Sequence, residues 1–222
     1  MNAPYASRQE LDFGALLSRT FANLWLVWRQ VLAYLAVAAV VAFSMPVIGR
    51  EPTGLVGLGL YFGGQYWLFH ALMKARGLLE SPRIRFLTFV GLAAVLIVPI
   101  TFGLVLLVLP GLFLVARWIA APAFVVARGE GVFRAAGHSW QAVRGHTAKL
   151  AGAVLLIFIL TSVIGSLTGG IDTTLAALDA YDKVRPGQLI EAHLLPLLLF
   201  GLSTATYELL GPKDTMIEDV FG

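Results

Sequence analysis

Cysteine is absent from the 222 residues, and only 13% of them are charged. The first absence excludes disulfides, thiolate metal sites and cysteine nucleophiles. The second leaves the chain with about half of the roughly 25% charged share of an ordinary soluble domain. With 58% hydrophobic residues and a mean hydropathy of +0.81, this inventory does not furnish a water-facing surface. The formal charge of +3 and a pI near 9.4 would suit nucleic acid only with a basic face or a recognition motif. Neither is present, so no nucleic-acid partner is expected. A cleavable leader is not expected either, because the first long apolar run begins only near Val31 and no A-x-A-like site follows a short one.

What the chain has is long apolar runs, at about 31–48, 55–73, 86–109, 111–127, 150–171 and 189–210. A bilayer core takes about 20 residues of helix, with ~17–25 tolerated, so the sequence predicts six transmembrane helices. Soluble helices alternate apolar stripes with polar faces; these runs are apolar all round. The expected fold is an all-α integral membrane protein forming one membrane domain over residues 1–222. Basic residues segregate accordingly. Twelve of the 16 Lys and Arg fall on one side: Arg8, Arg19, Arg29, Lys74, Arg76, Arg83, Arg85, Arg128, Arg134, Arg144, Lys149 and Lys213. Three, Arg50, Lys183 and Arg185, fall on the other, leaving Arg117 within a run. The positive-inside pattern then places both termini in the cytoplasm. Pro110-Gly111 joins the third and fourth runs, which predicts a tight antiparallel hairpin at the outer face.

Two further stretches read as amphipathic helices. Within 10–30, Phe13, Leu17, Phe21, Leu24 and Trp28 recur at steps of three and four, away from Asp12, Arg19, Asn23 and Gln30. Within 131–146, Val132, Ala136, Trp140 and Val143 lie opposite Arg134, His138 and Gln141. Such helices lie in the headgroup plane with aromatics buried, or else pack on the bundle's own cytoplasmic face; the spacing fits both.

The segment from Leu109-Pro110-Gly111 through Ala120-Ala121-Pro122, Val126, Gly131 and Phe133 to Ser139-Trp140 resembles the membrane-domain family named for glycerophosphoryl diester phosphodiesterases. It is also similar to a related group of bacterial inner-membrane proteins. The match lies mainly in residues 109–149, and Arg128 stands where that family often has an acid, with Glu130 two positions on. The family's catalysis belongs to a separate barrel domain with an HRG segment and metal-binding carboxylates, and this chain has no such segment. The resemblance therefore implies a non-catalytic membrane module, located in a bacterial cytoplasmic membrane.

No catalytic, cofactor or metal constellation is legible. His70 has Lys74, not a second ligand, one turn later; His138 and His146 are not spaced as a helical ligand pair. Glu191 and His193 point differently on a helix, so no metal site is expected. Ser139 has no histidine and acid arranged around it and reads, with Trp140, as part of a helix-turn feature. Gly59 and Gly63 form a GxxxG step, which reads as close helix packing. Ionisable groups within apolar runs are functional candidates by default, which keeps Arg117, Glu191, His193 and Glu208 in view. Arg117 lies about 9 Å below the Pro-Gly turn at 1.5 Å per residue, where a lipid-facing guanidinium is costly. Its expected partners are Glu191, Asp172 or the turn carbonyls.

The function expected on these grounds is a non-enzymatic module that organises membrane lipids or an unidentified protein partner. A small transporter or lipid-translocating protein is the alternative, and an intramembrane enzyme the third reading. A polar cavity at mid-membrane would favour transport, whereas an open apolar groove would favour lipid or protein binding.

Overall fold

The computed structural model describes residues 11–48, 50–81, 83–177 and 186–211, with side chains described outside 42–55 and 170–191. Among the described residues the fold is all-helical. Its helices are α1 (Phe13–Leu26), α2 (Trp28–Ile48), α3 (Arg50–Ala75), α4 (Phe86–Leu106), α5 (Val108–Trp118), α6 (Ala121–Arg128), α7 (Val132–Ala142), α8 (Thr147–Ala177) and α9 (Pro186–Leu210).

Four stretches are long and apolar enough to cross a membrane: Phe86–Leu106, Val108–Arg128 (α5 and α6 together), Thr147–Gly169 and Ala192–Leu210. A fifth arises if α1 and α2, bent by 68° at Val27, form one broken span. The chain is thus built as a multi-pass membrane protein. The described part of α3, expected as the second span, is not among these stretches. Gln65, His70 and four glycines dilute its apolar residues.

Helix α9 organises the bundle, packing on α1, α2, α3, α6 and α8. Pairing of Tyr61 with His193, Phe69 with Phe200 and Met73 with Thr204 shows that α3 and α9 run parallel. Helix α4 returns antiparallel to α5. The reversal falls at Leu107 in an extended conformation (φ −156°, ψ 127°), so the turn lies three residues before the expected Pro110. Proline in the first turn of α5 needs no amide donor. The hairpin is tight because Gly103 faces Gly111: a Cβ on Gly103 would stand 3.0 Å from the Gly111 Cα and N. Among the described residues, nothing outside the helix's own backbone lies within 4 Å of where a Cβ would stand on Gly59 or Gly63, so the close packing expected of the GxxxG step is not found there. Gly64 is the close-contact glycine of that helix, pressed against Tyr34.

The two amphipathic stretches both pack on the bundle. Asp12 caps α1, its Oδ2 accepting from the Ala15 N–H at 2.8 Å. Leu16, Thr20, Asn23 and Val27 are buried, while Phe13, Phe21 and Trp28 stay exposed. The apolar stripe read from the sequence is therefore split: Phe13, Phe21 and Trp28 face outward, Leu17 and Leu24 pack on the bundle, and a partly polar face meets α9. In α7, Ala135 and Ser139 are buried, followed by Val143, with Val132, Ala136 and Trp140 half-buried beside them. Helix α6 is the core of the molecule: Ala121, Ala123, Phe124, Val125, Val126 and Ala127 are all buried. Its alanines admit the close approach of α3, α4, α7 and α9.

Candidate functional site: an apolar slot with unpaired polar groups

Three of the expected candidates meet in one place. Helix α7 folds back along α6 so that its last turn reaches α5. The Arg117 Nη1 donates to the Trp140 carbonyl at 3.0 Å. The guanidinium carbon stands 4.5 Å from the Trp140 ring centroid and 5.3 Å from that of Phe113. The Ser139 hydroxyl donates to the Arg117 carbonyl at 2.9 Å. Arg117 is thus held by two ring faces and a main-chain oxygen. The side chains of Glu191 and Asp172, its expected acidic partners, lie outside the described residues.

His193 is buried on α9 with its Nδ1 2.6 Å from the Tyr34 hydroxyl and its ring 5.7 Å from that of Tyr61. His70 lies half-buried with its ring 6.0 Å from that of Tyr66. No group of three His, Asp or Glu could hold a metal ion among the described residues.

Glu208, near the end of α9, collects cations from two other segments. Arg76 Nε is 3.2 Å away and Arg19 Nη1 3.7 Å away. Arg76 also donates to Asn23 Oδ1 at 2.6 Å, which ties α1 to the same end. Beside them Glu80 pairs with Arg128 at 3.0 Å and accepts from the Tyr207 hydroxyl at 2.9 Å. Glu130 meets His138 Nδ1 at 2.8 Å. One end of the bundle is therefore cross-linked by charge, with Glu208, Glu80 and Glu130 each in reach of at least one basic partner.

A cavity of about 320 Å³ lies between α3, α4, α5, α6 and α9. This falls at the lower end of the ~300–1,000 Å³ typical of small-molecule pockets. Along α4 it runs from Phe89 to Ile100, about 16 Å at 1.5 Å per residue. Its mouth is at Ala93 and Ile97, which are exposed on the apolar outer surface of α4. The lining is apolar except for Gln65 and Ser203. Gln65 is 7% exposed and Ser203 1%, and neither the Gln65 Nε2 nor the Ser203 Oγ has a hydrogen-bond partner. Gln65 lies within side-chain hydrogen-bonding reach of the Tyr34 hydroxyl, although its amide nitrogen falls short of a bond of proper geometry. Buried polar groups are nearly always satisfied, so two orphans in one cavity require an explanation.

Sequence reading passed over Gln65 and Ser203. Each is one polar residue in an apolar run, a pattern normally absorbed by local main-chain bonding. Thr20, Thr161, Thr204 and Thr206 do bond the carbonyl one turn back; Ser203 makes no such bond.

No protein-family model, curated protein or solved structure matches the chain. The fold and the slot define its class: a multi-pass helical membrane protein with a laterally open apolar cavity.

Proposed function

We propose that this protein is a non-enzymatic integral membrane module that binds and organises bilayer lipid in a bacterial cytoplasmic membrane. The observation that carries the reading is the slot. Its walls are apolar, its mouth opens sideways on the outer surface of α4, and its volume suits a small hydrophobic ligand. A site entered from water would be expected to have a polar mouth, whereas Ala93 and Ile97 suit entry from hydrocarbon. The apolar lining also favours lipid binding over passage of a polar solute, which requires compensating groups along its route.

The same reading includes six spans with cytoplasmic termini, supported by the twelve-to-three distribution of basic residues. It further places the outward stripe of α1 in the headgroup region, supported by exposed Phe13, Phe21, Trp25 and Trp28. The likeness of residues 109–149 to the phosphodiesterase membrane-domain family agrees with a module that lacks chemistry of its own.

Native mass spectrometry of the purified protein tests this. The parent should retain about one lipid per chain through detergent exchange. Ala93→Trp, which plugs the mouth from the exposed face of α4, should release it while the helical circular dichroism is kept. A parent that retains no lipid, or a folded variant that retains as much, contradicts the reading.

A further inference from the structure

The mouth of the slot lies at a depth where a bilayer presents only one part of a phospholipid. We infer that the slot takes the methyl-terminal segment of a phospholipid acyl chain, admitted sideways at mid-membrane, and selects on the chain end instead of the headgroup. The inference rests on the lipid-binding reading and says which part of the lipid is bound.

Depth carries the argument. Helix α4 runs from Phe86 to Leu106, about 31 Å at 1.5 Å per residue, which matches a hydrocarbon core of ~30 Å. Ala93 and Ile97, at the mouth, lie about 10 and 16 Å along it. The opening therefore brackets the middle of the span, whichever end of α4 faces the cytoplasm. Each leaflet fills about 15 Å of the core, so headgroups and ester linkages stay at the surfaces and chain ends meet at the middle. The part of a phospholipid that stands before the mouth is its chain end.

The shape of the slot agrees. On the Phe86 side it is closed by aromatic packing. Phe89, 6% exposed, has its ring 5.4 Å from that of Tyr66, 6.1 Å from Phe69 and 5.9 Å from Phe200. The Tyr66 hydroxyl in turn accepts from the Arg85 N–H at 2.9 Å. A lipid at that surface has no path into the slot, and the way in is through the side of α4.

Chemistry excludes the headgroup. Among the described residues no ionisable side chain lines the slot, so a phosphate or ammonium would lose its water with no compensating charge. Gln65 reaches towards the Tyr34 hydroxyl, and Ser203 is only 1% exposed. The remaining walls are hydrocarbon and rings, among them Leu92, Leu96, Ile119 and Trp118. A chain end that leaves lipid for such walls gains nothing from the hydrophobic effect, because both surroundings are apolar. What it gains is close contact with atoms that otherwise face a void. Affinity then depends on how well the chain end fits.

The test uses distearoyl phosphatidylglycerol, unmodified or with a bulky doxyl ring on both chains, placed either near the carbonyl or near the methyl end. Each ring-bearing lipid competes with the unmodified one for the delipidated full-length protein in native mass spectrometry. A ring near the methyl end overfills the slot and should weaken competition by roughly fivefold or more. A ring near the carbonyl stays outside and should compete within about twofold of the unmodified lipid. Exchanging the headgroup for phosphatidylethanolamine should also change binding by no more than about twofold. Ala93→Trp, which plugs the mouth, should erase the difference between the two ring positions. Equal competition by the two, or a greater loss from the ring near the carbonyl, overturns the chain-end assignment and leaves lipid binding intact. A tenfold headgroup preference does the same, as does a positional difference that persists in a folded Ala93→Trp. Failure of the unmodified lipid to bind overturns the functional reading itself.

Discussion

A guanidinium inside an apolar bundle needs donors satisfied and charge compensated, and Arg117 obtains part of each without a described carboxylate, its Nε staying without a hydrogen-bond partner among the described residues. Its Nη1 reaches the Trp140 carbonyl, while the Trp140 and Phe113 rings offer their negative faces. Arginine is suited to this because its charge is planar and weakly hydrated; lysine's compact ammonium is not interchangeable in a stacked site. Arg117→Lys should therefore destabilise the protein by about 1–2 kcal/mol in denaturant unfolding, even though the positive charge is kept. An unchanged midpoint would mean that the ring contacts contribute nothing. Arg117, Ser139 and Trp140 were each legible as residues of interest. Their meeting was not, because it depends on α7 folding back along α6 to bring residues 22 and 23 positions apart into hydrogen-bond contact. Gln65 and Ser203 were illegible for a different reason: what distinguishes them is the lack of a partner, and that is a property of three-dimensional surroundings.

At the scale of elements, amphipathic periodicity located α1 and α7 but assigned the faces incompletely. In α1 the aromatic residues of the stripe point outward while Leu17 and Leu24 pack inward, because the inner face is set by what α9 offers. Gly201 lets the two helices touch, and Asn23 Nδ2 donates to the Gly201 carbonyl at 3.4 Å. A Cβ on Gly201 would stand 2.9 Å from the Thr20 main-chain oxygen and 3.1 Å from Leu24 Cγ. The oxygen belongs to a helix backbone and cannot rotate away, so Gly201→Ala should lower stability by about 1–3 kcal/mol and speed amide exchange in α1. Gly59→Ala is the internal control. Its Cβ meets nothing within 4 Å, and the better helix former should gain roughly 0.5–1 kcal/mol. Equal effects at the two positions would show that α1 and α9 are not in tight contact at Gly201. The hairpin of α4 and α5 was legible from its Pro-Gly pair, although the turn itself falls at Leu107, where the chain is extended between two helices.

For the whole molecule, hydropathy made the membrane class plain, since Phe86–Leu106, Val108–Arg128, Thr147–Gly169 and Ala192–Leu210 are each long and apolar enough to cross a membrane. It said nothing of the slot, which exists because five helices that read alike as apolar leave a gap between them when packed. That gap, with its mouth on the outer face of α4, is the basis for reading the protein as a lipid-binding module. The most direct measurement is photolabelling in native-like bilayers, with a phospholipid bearing a diazirine midway along one acyl chain and labelled residues mapped by peptide mass spectrometry. An occupied slot predicts labels on inward-facing Leu96, Ile119 and Leu199 in addition to the outer surface. Labels confined to outward-facing residues such as Val105, Leu107 and Leu167 would show that lipid only surrounds the bundle, and would contradict the account.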